Sequence, residues 1–121
     1  MSEEEDPNKR FDLEERTFQF ARRTRAFVKT LAKTICNTED ARQVIRWSGS
    51  VGANYIEANE ALSKKDFVVR IKICRKEAKE TRYWLRLLEV LDASTAGERE
   101  SLVQEAQELM NIFGSIVRRS S

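Results

Sequence analysis

Glu77 and Glu80 sit one helical turn apart on a flank that also carries Ile73 and Trp84, and Glu57 follows Asn54 at the same spacing in the preceding segment. Carboxylates at such spacing can work as general acid and base, or hold a metal pair. In a helical bundle the metal pair takes Glu-x-x-His motifs from two helices. Histidine is absent from this chain, which removes both that ligand set and the commonest general base. The sequence also lacks phosphate-cradling glycine loops, nucleotide-binding motifs and nucleophile elbows. Cys36 and Cys74 are isolated, with no CxxC motif, and read as small apolar residues of a reducing cytoplasm rather than a disulfide or redox pair. The expectation is a protein that is not an enzyme and uses no cofactor or metal. Asn54, Glu57, Glu77 and Glu80 then become structural polar groups. A buried Asn or Glu needs a partner, and such pairs can fix the register between helices. Arg46, Arg75 and Arg82 are all candidate counter-charges for Glu57.

Basic side chains form the second pattern. Residues 16–33 hold six Lys or Arg and no acid. Arg22, Arg25, Lys29 and Lys33 share one flank near Phe18, and Lys65, Lys72, Lys76 and Lys79 form a similar strip farther along. Cations held in a row displace condensed counterions together, so such strips can track the phosphates of RNA or DNA. An assembly of several copies would multiply each strip. Trp47 and Trp84 could stack on bases, but both suit a dry interface between helices better.

These residues must be positioned by helices. The 121-residue chain is 40% hydrophobic and 35% charged, with four glycines and one proline, a mixture that favours a single all-helical domain. The net charge of +2 says little about partners, so the distribution of charge carries the information. Residues 1–10 read as a flexible acidic tail without the apolar run of a signal peptide, and no stretch is apolar enough to span a membrane. Asp12 with Glu15, Ser63 with Asp66, and Thr95 with Glu98 resemble capping boxes, while Asn37 or Thr38 could cap the remaining helix. The helices are therefore expected near 12–35, 39–61, 64–91 and 97–118, within one domain spanning 11–119. Short connections make sequential helices antiparallel, in an up-down-up-down four-helix bundle. Apolar stripes run through Leu13, Phe20, Phe27, Leu31 and Ile35, through Phe67, Ile71, Leu85 and Leu88, and through Leu102, Leu109 and Phe113. In the second helix, Ala41, Val44, Ser48, Val51, Tyr55 and Leu62 make one stripe. Trp47, Ser50, Asn54, Ala58 and Ala61 make an adjoining flank of mostly small residues. That flank fits either close approach within the bundle or burial against another chain, and with Trp84 it forms the candidate oligomer interface.

The stretches "SVGANYIEA" and "SKKDFVVRIKICRKEAKETRYWLRLL" resemble the four-helix bundle family encoded in intervening sequences of bacterial 23S ribosomal RNA genes. Asn54 and Glu57 match the family's Asn-Ile-Ala-Glu-Gly-like segment. Ser63 and Phe67 match the S-x-x-x-F opening of the next helix, and Glu80 with Leu85 its Glu-x-x-x-x-Leu pattern. Ala58 departs from the glycine that members often carry. The resemblance implies a left-handed up-down-up-down bundle assembling as a ring-like homopentamer. A related protein is the accessory subunit of diversity-generating retroelements, which contacts a reverse transcriptase and nucleic acid. The resulting expectation is a cytoplasmic, homo-oligomeric accessory protein that contacts RNA or DNA backbones through helices 1 and 3. The alternative is a protein-interaction module, such as a reverse-transcriptase accessory, whose stripes meet an acidic protein surface.

Overall fold

The computed structural model describes residues 7–120, with side chains from Asp12 onward. Four helices follow one another, α1 (Pro7–Val28), α2 (Ile35–Asn59), α3 (Lys64–Leu87) and α4 (Ala93–Ser120), and no strand occurs among the described residues. Cross-helix pairs show the antiparallel arrangement. Glu14 meets Asn59 on α2 while Arg25 lies over Gly49, Asn54 meets Glu77 on α3, and on α4 Arg16 meets Glu105 while Arg23 meets Glu98. Each helix packs on its sequence neighbours, α4 closes more lightly onto α1, and α1 and α3 lie diagonally across the core.

The core follows the apolar periodicity. Phe20, Val44, Val51, Tyr55, Ile71, Leu85, Leu102, Leu109 and Phe113 are all buried, and the Tyr55 and Phe113 rings pack tilted at 6.0 Å. The stripe of α1 includes two threonines, Thr17 and Thr24. Their hydroxyls are satisfied by donating to the carbonyls of Leu13 and Phe20 one turn back, at 2.9 and 2.8 Å, which lets a polar side chain sit in an apolar core. Ile35 and Leu62, expected at the ends of buried stripes, are exposed instead, because both stand where one helix gives way to the next.

Most helix boundaries lie within about one turn of the expected ones. Helix α1, however, ends at Val28, about two turns before the expected 35, and residues 29–34 form the connection to α2. Residues 7–10 belong to α1 rather than to a tail, with Pro7 at the first position, where a missing N–H costs nothing. The residues before Pro7 lie outside the described chain. Helix α2 begins at Ile35 because Thr34, not Asn37 or Thr38, is its cap, its hydroxyl accepting from the Asn37 N–H at 3.0 Å. Asn37 is freed for another task. Its side-chain amide donates to the carbonyls of Ala32 and Glu89, and its Oδ1 accepts from the Glu89 N–H at 2.8 Å, so one buried residue ties the α1–α2 connection to the end of α3. That tie accompanies the end of α3 at Leu87 rather than near 91. Helix α4 starts early because Asp92, not Thr95, is the cap, accepting from the Thr95 N–H at 2.7 Å. Ser63 caps α3 as its spacing to Asp66 suggests.

Candidate functional site

Two sides of the bundle carry the residues singled out by type and spacing. On the first, Asn54 of α2 reaches Glu77 of α3. The Asn54 amide donates to both carboxylate oxygens, at 2.8 and 3.0 Å, and to the Ser50 carbonyl at 3.2 Å. Glu77 is buried, 7% exposed, and this burial raises its pKa above the usual carboxylate range, against the opposing pull of the Asn54 hydrogen bond and the nearby Lys76 charge. The same α2–α3 seam holds Trp47, half-buried, with its Nε1 donating to Gln43 at 3.1 Å. The Arg46 guanidinium and the Lys76 ammonium lie over its ring, 5.1 and 5.7 Å from the centroid. Trp84 packs edge-on against Tyr83 at 5.2 Å, and its buried Nε1 has no acceptor among the described residues.

Two expectations for this side need correction. Glu57 is exposed and takes no part in the polar pair. It points to water because helix 2 turns its Asn54 flank, not Glu57, toward α3, so Glu77 is the carboxylate Asn54 meets, and Arg46, Arg75 and Arg82 supply no counter-charge to Glu57. Ala58 is 1% exposed within a single chain, buried in this bundle's own core, so it cannot line a contact with another copy. Trp47, Ser50, Asn54, Ala61 and Trp84 remain half-buried, and Glu80 is half-buried with no described ion pair.

The outer side of α3 combines charge with exposed apolar surface. Lys65, Lys72, Lys76 and Lys79 are all exposed. Val69, Tyr83 and Leu87 are 47%, 55% and 46% exposed, and at 3.6 residues per turn they fall on the same side as those lysines.

The second side is that of α1. Here the structure sorts the cations by partner. Arg16 makes a two-pronged pair with Glu105 at 2.7 and 2.8 Å and reaches Glu108 at 2.8 Å, which holds its proton still more tightly than usual. Arg23 donates to Ser101 at 2.8 Å and approaches Glu98 at 3.6 Å. These two face α4. Arg22, Arg25, Lys29 and Lys33 are exposed, and no described carboxylate ion-pairs with them. Arg22 and Arg25 stand on α1, but Lys29 and Lys33, expected on the same helix flank, belong to the connection that follows Val28 because α1 ends there. Arg22 lies over the exposed Phe18 ring, 5.9 Å from its centroid, and Arg25 rests across Gly49 of α2. The α1 and α3 strips therefore occupy different sides, with α2 between them.

Cys74 is buried and its thiol is pushed up to about 12 by desolvation and the Glu77 charge, so it is not a nucleophile near neutral pH. Among the described residues no three His, Cys, Asp or Glu side chains gather as metal ligands would, and no helix is long and apolar enough to cross a membrane.

Comparison with known proteins agrees with this architecture. A crystal structure of a protein of unknown function from the S23 ribosomal protein family of Bacteroides thetaiotaomicron superposes with a TM-score of 0.72 at 31% identity, covering 86% of this chain and 96% of that one. No curated protein matches the chain. The family described as 23S rRNA-intervening sequence protein matches residues 9–115, almost the whole of the four-helix unit, and the chain belongs to that family.

Proposed function

We propose that the protein is a non-enzymatic, self-associating helical bundle that accompanies nucleic acid and holds RNA or DNA backbones on the exposed basic surface of α1 and of the connection that follows it. The observation that carries this reading is the division of the α1 cations. Arg16 and Arg23 are neutralised by α4, whereas Arg22, Arg25, Lys29 and Lys33 stand exposed without a described acid. Unpaired cations in a row keep their field and gain from counterion release on meeting a polyanion. Phe18 beside Arg22 adds a face on which a base can stack. Titration of random-sequence RNA and DNA across a salt series tests the reading. Affinity should fall log-linearly with salt, and changing all four residues to Gln should weaken binding and lower the slope by about 0.7–0.9 per lost phosphate contact, with helix content unchanged. Absence of binding even at low salt overturns it.

A second reading applies to α3. Its lysines interleave with exposed Val69, Tyr83 and Leu87, a composition that suits protein contact more than phosphate tracking. On this reading the α3 side meets protein: further copies in a ring such as the pentamer, or a reverse transcriptase served as an accessory subunit. Changing Lys72, Lys76 and Lys79 to Gln should then leave nucleic-acid affinity in place. A loss equal to that of the α1 variant would return α3 to the nucleic-acid surface.

A further inference from the structure

Between the end of α1 and the start of α2 lies a groove of about 490 Å³, within the roughly 300–1,000 Å³ of small-ligand sites. Its floor is apolar, formed by Val28, Leu31, Ala41 and Ile45, and its rim carries Lys29, Lys33 and Arg42 with no carboxylate in the lining. All three cations are exposed, and none makes a described ion pair. The connection that shapes the groove is held in place. Thr30 donates to the Phe27 carbonyl at 2.7 Å, and the Asn37 amide donates to the Ala32 carbonyl at 3.0 Å.

We infer that this groove seats one nucleotide of a single strand, its base on the apolar floor and its flanking phosphates on Lys29, Lys33 and Arg42. The inference rests on the nucleic-acid reading of α1 and adds to it a ligand form and a new residue. Two of the rim cations continue the α1 row. Lys29 directly follows α1, and its N–H still donates to the Arg25 carbonyl at 3.2 Å, which keeps the two about 6 Å apart along the helix axis at about 1.5 Å per residue. Lys33 extends the positive charge along the connection, so a ligand that follows these cations carries repeated negative charge. The floor then selects between the forms of that polyanion. A duplex keeps its bases stacked inside and offers only backbone, whereas a single strand can turn a base face onto an apolar surface. Arg42 joins the site because α2 begins at Ile35. This start places Arg42 two turns into the helix, on the same side as Ile45 three residues on.

The test uses the full chain and labelled strands of about 12 nucleotides, within usual site sizes: a random single strand, its duplex, and an abasic strand with the same phosphates. The random strand should bind several-fold tighter than either of the others. Arg42→Gln should weaken single-strand binding several-fold and lower its salt slope by about 0.7. The double change Ala32→Leu with Ala41→Leu narrows the groove, and should abolish the preference over the abasic strand while leaving abasic affinity unchanged. Thermal melting checks that this variant folds. If it does not, Lys33→Gln with Arg42→Gln, both at exposed positions, carries the test. Equal binding of random and abasic strands by the unaltered protein overturns the groove assignment and leaves the α1 reading standing. Binding to no nucleic acid, with an acidic peptide bound instead, overturns both.

Discussion

At the α2–α3 seam a carboxylate is buried against an amide, and a single amide group serves both of its oxygens. Amides satisfy the hydrogen bonds but bring no charge, so Glu77 keeps most of its desolvation cost. Removing the donor should be expensive. Asn54→Ala leaves the carboxylate buried with its bonds unmade and should destabilise the fold by roughly 1–3 kcal/mol. Glu57→Ala, at an exposed position, should change stability by less than about 0.5 kcal/mol. Chemical denaturation of the two variants side by side checks both, and equal effects would remove the special role of Asn54. The titration of Glu77 gives a second expectation. Its proton is held more tightly in the folded chain than in the unfolded one, so the cost of the buried anion is absent below the ordinary carboxylate range and complete above the raised value. This group therefore lowers stability as pH rises between those limits. Glu77→Gln cannot titrate, and its stability relative to the unaltered protein should climb in urea denaturation as pH rises above the ordinary carboxylate range. A difference independent of pH would show that Glu77 titrates alike in both states.

Helices α1 and α2 approach closely at one point. A Cβ placed on Gly52 would lie 3.0 Å from Thr17 Oγ1 and 3.6 Å from the Thr17 backbone, and that hydroxyl is already committed to the Leu13 carbonyl. Gly52→Ala should therefore cost about 1–3 kcal/mol through overpacking. Gly97 lies within α4 with nothing within 4 Å of an added Cβ, so Gly97→Ala should stabilise by about 0.5–1 kcal/mol. Melting temperatures moving in opposite directions would meet this expectation, and a stabilised Gly52→Ala would refute the close contact. The small residues of α2 thus do part of their work inside the bundle, one of the two uses that periodicity leaves open. Helix number, order and core faces were legible because apolar spacing at 3.6 residues admits no other element. Boundaries were less so. Thr34 competes with Asn37 and Thr38, and Asp92 with Thr95, all chemically able to cap. Which one does depends on tertiary ties such as Asn37 to Glu89, which no local spacing encodes. Ser63 has no competitor, and its spacing to Asp66 is enough to identify the cap of α3.

For the whole molecule, the same limit governs the candidate sites. The α1 cations were legible as a row, but their division into paired and unpaired members depends on α4, more than seventy residues away in the chain. Arg42 was not singled out because its role depends on a groove formed by two helices and their connection. The interface flank was legible by residue size, yet size alone could not say that Ala58 faces the core while Trp47 and Ala61 lie nearer the surface. This distinction decides how assembly should be tested. Ala58→Glu would bury an unpaired charge in the monomer's own core and unfold it, and the resulting loss of multimers would say nothing about an interface. Val69 and Leu87 are about half exposed in the single chain, so Val69→Lys with Leu87→Lys should leave the melting transition nearly unchanged. If the α3 side joins copies, the unaltered protein should sediment as a multimer at micromolar concentration. The double variant should then run as a folded monomer, because each lysine would have to be desolvated in a packed contact. A monomeric unaltered protein would dismiss self-association. A multimer untouched by the two lysines would move the contact off α3, toward the Trp47–Ala61 flank of α2.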